Sequence, residues 1–155
     1  MRRNDREITD SSRIDEIIKL CDCCRIGLCD NGKAYIVPLN FGYENKNGKR
    51  IFYFHSAEEG KKIDLIRSTG FSSFELDTAH KLIPGSSSHH CTYLYQSVMG
   101  NGKISIVQDE EEKLFGLNSI MFHYTGNPDN HFKKEVVDKT LVIKLEVEEI
   151  TCKAH

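Results

Sequence analysis

Two Asn-Gly pairs, Asn31-Gly32 and Asn47-Gly48, constrain this chain more than any other feature. Both residue types tolerate positive φ, which a two-residue hairpin turn requires. Before the first pair, CRIGLC (24–29) sets Cys24, Ile26 and Leu28 against Arg25, Gly27 and Cys29, the alternation of a half-buried strand. AYIVPLNFGYE (34–44) follows as a second strand, and RIFYFHS (50–56) follows the second turn as a third. Three strands joined by two tight turns predict an antiparallel meander. Pro38 has no N–H to give to a ladder, so the second strand is expected at a sheet edge or bulged there.

The remaining elements are read the same way. Asp10 is placed to cap a helix whose apolar face is Ile14, Ile17, Ile18 and Cys21. Residues 58–68 predict a short helix with Ile63 and Ile66 on one face, and FSSFELD (71–77) a fourth strand. Residues 78–91 read as a long polar loop, and residues 92–107 as a long strand bent at Gly100 or Gly102. Residues 109–126 predict a helix with Leu114, Leu117, Ile120 and Met121 inward, and residues 140–150 a closing alternating strand. About six strands with helices at the margins, and no alternating β-α-β units, predict a mainly β fold: a small antiparallel barrel with peripheral α-helices. A length of 155 residues predicts one domain, 1–155.

Composition excludes several classes. The net charge of −2 provides no global basic field for nucleic acid. No run of eighteen apolar residues exists, so no membrane-spanning helix is expected. The start, MRRNDREITD, is charged and lacks the apolar segment of a secretory signal, so a cytoplasmic location is expected. There the six cysteines are expected to stay reduced. Cys21 and Cys24 have C-x-x-C spacing with Cys23 between them, but Cys29, Cys91 and Cys152 form no second pair at zinc-site spacing. The cysteines therefore read as small buried hydrophobes, with metal or redox roles as the alternative. No metal site is expected.

Three stretches carry possible chemistry. In FYFHSAEEGKKIDLI (52–66), His55 ends a strand and Lys61 and Lys62 begin a helix. Helix-start amides, the Ser56 hydroxyl and two ammonium groups suit a phosphate. The same residues also describe a solvated, lysine-bearing helix capped by Ser56, and the spacing is not a Walker motif. His55 can exchange protons near neutral pH if it faces a pocket, and is otherwise a wall residue. VPLNFGYE (37–44) offers backbone and amide groups to a planar ligand, or is a bulged strand. In YLYQSVMGNGK (93–103), Gln96 and Ser97 interrupt an apolar strand and need polar partners. No G-x-S-x-G elbow is present, and His80, His89 and His90 have no ligand spacing with carboxylates or cysteines.

Together VPLNFGYE, YFHSAEEGKKIDLI, FELD and YQSVMGNGK resemble, in order and spacing, the FMN-binding split-barrel proteins related to pyridoxamine 5′-phosphate oxidase. MRRNDREITD and NSIMFHYTG resemble the nitroimidazole-resistance (Nim) branch. The resemblance implies a six-stranded antiparallel split barrel and a homodimer with FMN in clefts between the subunits. It implies that Val37, Pro38, Leu39 and Asn40 line the flavin, and that Phe54, His55 and Ser56 lie beside its ring and ribityl chain. It implies that Lys61 and Lys62 hold the 5′-phosphate, and that Gln96 and Ser97 come from the partner subunit. The histidine matching His55 is associated in that branch with chemistry near the flavin, which makes His55 the expected catalytic residue.

Two departures bear on activity. Gln96 stands where many relatives carry arginine before the serine. The chain also lacks tryptophan and the Arg-x-His pattern found near the oxidase's C-terminus, which argues against vitamin B6 oxidation. The implied function is FMN-dependent reduction of a small oxidised acceptor, such as a nitro-aromatic, with electrons from NAD(P)H. The alternative is a non-catalytic flavin- or haem-binding module, with His89 or His90 as an iron ligand.

Overall fold

Apolar–polar alternation carries the chain into eight strands of one antiparallel sheet. The structure, a computed structural model, describes residues 4–155; the first three residues of MRRNDREITD lie outside the described residues. The strands are β1 (Glu7–Ile8), β2 (Cys24–Asp30), β3 (Lys33–Leu39), β4 (Gly42–Lys46), β5 (Lys49–Ser56), β6 (Phe71–Ile83), β7 (Thr92–Ile106) and β8 (Leu141–Ala154). Their order is β3-β2-β6-β7-β8-β5-β4, with β1 paired to β8. The path is open between β3 and β4, so the fold is a split barrel with eight strands rather than the six expected.

Both hairpins form at the Asn-Gly pairs, with φ of 50° and 81° at Asn31 and Gly32 and 54° and 84° at Asn47 and Gly48. The three-strand meander does not form. Residues 34–44 are two strands, β3 and β4, which lie at opposite ends of the strand order. Phe41 breaks the run: its side chain is fully buried, and its N–H donates to the Tyr124 hydroxyl at 3.2 Å instead of to a neighbouring strand. Pro38 lies on the edge strand β3, as its missing donor requires.

The polar loop expected over 78–91 is shorter. β6 continues to Ile83 through a bulge between Thr78 and Lys81, and pairs there with Thr92–Leu94 of β7. Ala79 takes φ 57° in that bulge. The bend expected in β7 appears as a register shift against β8 between Asn101 and Gly102.

Helix α1 (Ser11–Leu20) begins at Asp10, whose carboxylate accepts from the Arg13 N–H at 2.7 Å. It buries Ile14, Ile17 and Ile18 against the barrel interior. The carboxylate of Asp15 ties this helix to the β4–β5 hairpin, accepting from Tyr43, Asn45 and Arg50. Helix α2 (Lys61–Thr69) buries Ile63 and Ile66 in the same core. Phe52, Phe54 and Phe74 fill the interior, and each such side chain contributes about 1.5–3 kcal/mol of burial free energy.

Helix α3 (Glu110–Thr125) crosses the outer face of β4, β5 and β8. Leu117 and Ile120 are buried there with Tyr53 and Val142, as expected. Leu114 and Met121 are each 38% exposed and are not inward. The helix meets the sheet at Gly116, where a Cβ would stand 2.8 Å from Val142 Cγ1 and 2.9 Å from Tyr53 Cδ1. That close approach narrows the buried stripe. A further short helix, α4 (Lys134–Asp138), buries Val137 against the same cluster and was not expected.

All six cysteines are free. Cys21, Cys24 and Cys152 are buried, Cys23 is half-buried, and Cys29 and Cys91 are exposed, so burial accounts for half of them. Burial, reinforced by nearby carboxylates, pushes the Cys21 thiol up to about 12, which keeps it protonated and unreactive. Among the described residues no helix is long and apolar enough to cross a membrane, and no three His, Cys, Asp or Glu side chains gather to hold a metal ion.

Candidate functional site

Strand alternation sorts the expected site residues by face. On β3, Val37 and Leu39 pack against the core, while Pro38 points outward and Asn40 is exposed where β3 ends. On β5, Phe54 is fully buried and stacked on Phe52, while His55 points outward. On β7, Gln96 shares the inner face with the fully buried Val98, and Ser97 shares the outer face with the exposed Met99. Val37, Leu39, Phe54 and Gln96 therefore spend their side chains on the interior. Ser56, half-buried at the end of β5, falls on the same face as Phe54. A ligand outside the barrel meets Pro38, Asn40, His55, Lys61, Lys62 and Ser97. The Gln96 Oε1 is buried with no donor among the described residues, so the partner expected for it is not found there.

These outward residues form three groups. The first is the outer face of β3-β2-β6-β7, where Pro38 pairs with Arg25 and Ser97 pairs with Asp77. Between them Arg25 Nη1 donates to Asp77 Oδ1 at 2.7 Å and to Glu75 Oε2 at 3.0 Å. His80 Nε2 lies 3.1 Å from Asp77 Oδ2. Two carboxylates share one guanidinium, and burial together with Asp77 holds Glu75 above the usual carboxylate range. The face is also apolar: Ile36 is 64% exposed and Met99 43%, in a shallow groove that Gly27 and Gly100 also line.

The second group surrounds His55. Its imidazole lines a cleft of about 190 Å³ with Leu117, Ile120 and Met121 of α3 and Val136 and Val137 of α4. Among the described residues, His55 is the one ionisable group on that wall. The sequence reading missed the cleft because it missed α4; the Val136-Val137 pair was its only signal.

The third group is the start of α2, five residues beyond Ser56. Gly60 occupies the N-cap with φ 124° and offers no side-chain cap. Ile63 and Asp64 donate the first helical hydrogen bonds to the Gly60 carbonyl, so the Lys61 and Lys62 amides precede the ladder. The two lysines differ. Lys61 Nζ sits 2.6 Å from Asp30 Oδ2 and 5.0 Å from the Tyr35 ring centroid. The hydrogen bond and charge of Asp30 raise its pKa. Lys62 is half-buried, has no anionic partner among the described residues, and has its pKa lowered by that burial. Asp30 was not anticipated as a partner; it immediately precedes an Asn-Gly turn that swings it toward the helix.

Known proteins match this architecture. The family model described as pyridoxamine 5′-phosphate oxidase matches residues 10–154. A crystal structure from Bacteroides thetaiotaomicron, called a "putative 5-nitroimidazole antibiotic resistance protein", is 34% identical. The match covers 96% of this chain and 86% of that one, with a TM-score of 0.83. The flavocytochrome Anf3 from Azotobacter vinelandii has the same fold at 18% identity and TM-score 0.80, over 100% of this chain and 72% of that one. An FAD- and heme-binding protein from Mycobacterium smegmatis has it at 13% identity and TM-score 0.79, over 96% and 73%. No curated protein matches the sequence. A family match that spans nearly the whole chain, joined by a relative at 34% identity with the same fold, decides the assignment: the chain belongs to the pyridoxamine 5′-phosphate oxidase family.

Proposed function

We propose that the chain is a cytoplasmic FMN-dependent oxidoreductase, working as a homodimer, that passes electrons from NAD(P)H to a small oxidised acceptor such as a nitro-aromatic. The observation that carries this reading is the start of α2. Two amides ahead of the helical ladder, a glycine N-cap and Lys62, which has no anionic partner among the described residues, lie there, one short loop after the strand that presents His55. That donor set fits a phosphate monoester.

The homodimer is supported by the outer face of β3-β2-β6-β7. Exposed Ile36, Met99, Leu82 and Tyr93 lie on it together with Pro38 and Ser97. Apolar side chains grouped this way mark a contact surface. A second copy would bring Ser97 to a site that one chain leaves incomplete.

Flavin, when bound, supplies the electron transfer. The chain's own residues bind and orient. Lys62 and the α2 amides hold the phosphate, and Pro38 and Asn40 at the end of β3 bound the ring side. His55, facing an apolar cleft, holds or delivers a proton beside the acceptor. The relative at 34% identity, named for nitroimidazole resistance, supports the acceptor class.

The absorption spectrum of the purified protein tests the cofactor. Flavin bands are expected, and anaerobic NADH or NADPH should bleach them. A Soret band would replace this reading with haem binding, and flavin that neither nucleotide reduces would leave a binding module without turnover.

A further inference from the structure

The expected pair of phosphate-binding lysines is electrostatically unequal, and the cause lies on another element. Asp30 closes β2 and is held by two donors: Lys61 Nζ at 2.6 Å to Oδ2 and Asn31 Nδ2 at 3.1 Å to Oδ1. The turn behind it is fixed by positive φ at Asn31 and Gly32. The carboxylate is thus preorganised over the first residue of α2, where the helix dipole also favours a negative charge. Its side chain is 25% exposed, and that of Lys61 is 54% exposed. An incoming phosphate can reach this ammonium, but it must displace an anion already there. It also meets the repulsion of that anion.

We propose that Asp30 is an internal competitor for the phosphate: it occupies Lys61 in the free protein and thereby sets how tightly the start of α2 holds a phosphate monoester. The proposal rests on the reading of that helix start as the flavin phosphate site. It makes Asp30 an affinity-setting residue rather than a ligand contact. After displacement Asp30 keeps its bond from Asn31, so the hairpin need not rearrange. The arrangement favours a cofactor that is held but exchangeable.

The test compares wild type, Asp30→Asn, Lys61→Ala and the double variant as flavin-free protein. Each is titrated with FMN and with riboflavin, which lacks the phosphate, by quenching of flavin fluorescence. Asparagine keeps the size and the Asn31 contact and removes the charge. Asp30→Asn is expected to tighten FMN roughly two- to five-fold, the range of one exposed ion pair, and to leave riboflavin unchanged. In the Lys61→Ala background the gain should shrink. Weaker or unchanged FMN binding by Asp30→Asn would overturn the proposal, and so would an equal gain for riboflavin.

A second titration, with inorganic phosphate followed by the amide chemical shifts of Lys61 and Lys62, separates this proposal from the cofactor reading. If neither flavin binds but Asp30→Asn tightens phosphate at those amides, the cofactor reading fails and Asp30 stands. If Asp30→Asn leaves phosphate binding there unimproved, Asp30 is no competitor, whatever the flavin does.

Discussion

The imidazole of His123 packs on the ring of Phe41 with centroids 4.2 Å apart, and its Nε2 donates to the Cys21 carbonyl at 2.7 Å. One residue later, the Tyr124 hydroxyl accepts from the Phe41 N–H and donates to the Asp22 carbonyl at 2.8 Å. The end of α3 thereby fixes the break between β3 and β4 and the start of β2 together. Burial holds His123 below its ordinary 6.5, outweighing the Cys21 carbonyl, which favours the charged ring. The unfolded chain therefore takes up this proton first as pH falls. The stabilisation is complete above about 6.5 and is lost as pH drops through the lower folded value. His123→Phe should flatten the fall in melting temperature between pH 7 and pH 5. Parallel curves for variant and wild type would show that this ring does not drive it.

Gly42, next to Phe41, lies directly under α3. A Cβ there would stand 2.5 Å from Ser119 Oγ and 2.6 Å from the Ile120 backbone nitrogen. Helix backbone cannot step aside as a side chain can. Gly42→Ala should cost about 1–3 kcal/mol, read as a lower denaturant midpoint at unchanged slope. Gly116→Ala meets side-chain carbons of Val142 and Tyr53 and should cost less. The reverse order of the two variants would refute the backbone argument.

The same contact shows what the sequence can disclose. NFGYE (40–44) and NSIMFHYTG (118–126) lie far apart in the sequence, yet Gly42 and Phe41 of one touch Ser119 and His123 of the other. Local patterns disclosed each hairpin, the α1 face and the β2 alternation, because those depend on neighbours in sequence. They did not disclose that Phe41 turns inward, because that depends on Tyr124. Among the site residues, the period-two rule would have placed Phe54 and His55 on opposite faces, and likewise Gln96 and Ser97. The family resemblance grouped them by motif and so overlooked it. The Asp30–Lys61 pair was hidden because it joins a hairpin turn to a helix start across 31 positions, with no spacing rule between them.

The inequality of the lysines gives a prediction on FMN. Lys62→Ala should weaken FMN roughly tenfold at low ionic strength, the effect of one charge-assisted hydrogen bond, and less in 0.5 M salt. Lys61→Ala should weaken it less, because Asp30 already matches that charge. Riboflavin affinity should be unchanged by either. A larger loss from Lys61→Ala would assign the phosphate to the paired lysine instead, and an FMN dissociation constant unmoved by both would remove the phosphate from α2.

On the proposed function, His55 should separate binding from turnover. It is exposed on β5 beside Val142 and, among the described residues, is the sole ionisable lining of the cleft formed with α3 and α4. A group there contributes little to holding a phosphate but stands where an acceptor would enter. His55→Ala should leave the FMN dissociation constant within about twofold and lower the acceptor-dependent rate roughly 10²-fold, the lower range for a positioned proton donor. Reduction of the flavin by NAD(P)H should be spared, because that half-reaction needs no proton at the acceptor. Stopped-flow measurement of the two half-reactions separates these outcomes. Unchanged reoxidation by the acceptor would remove His55 from the chemistry and leave it as a wall of the cleft. A loss confined to the NAD(P)H half-reaction would place the nucleotide, not the acceptor, at this histidine.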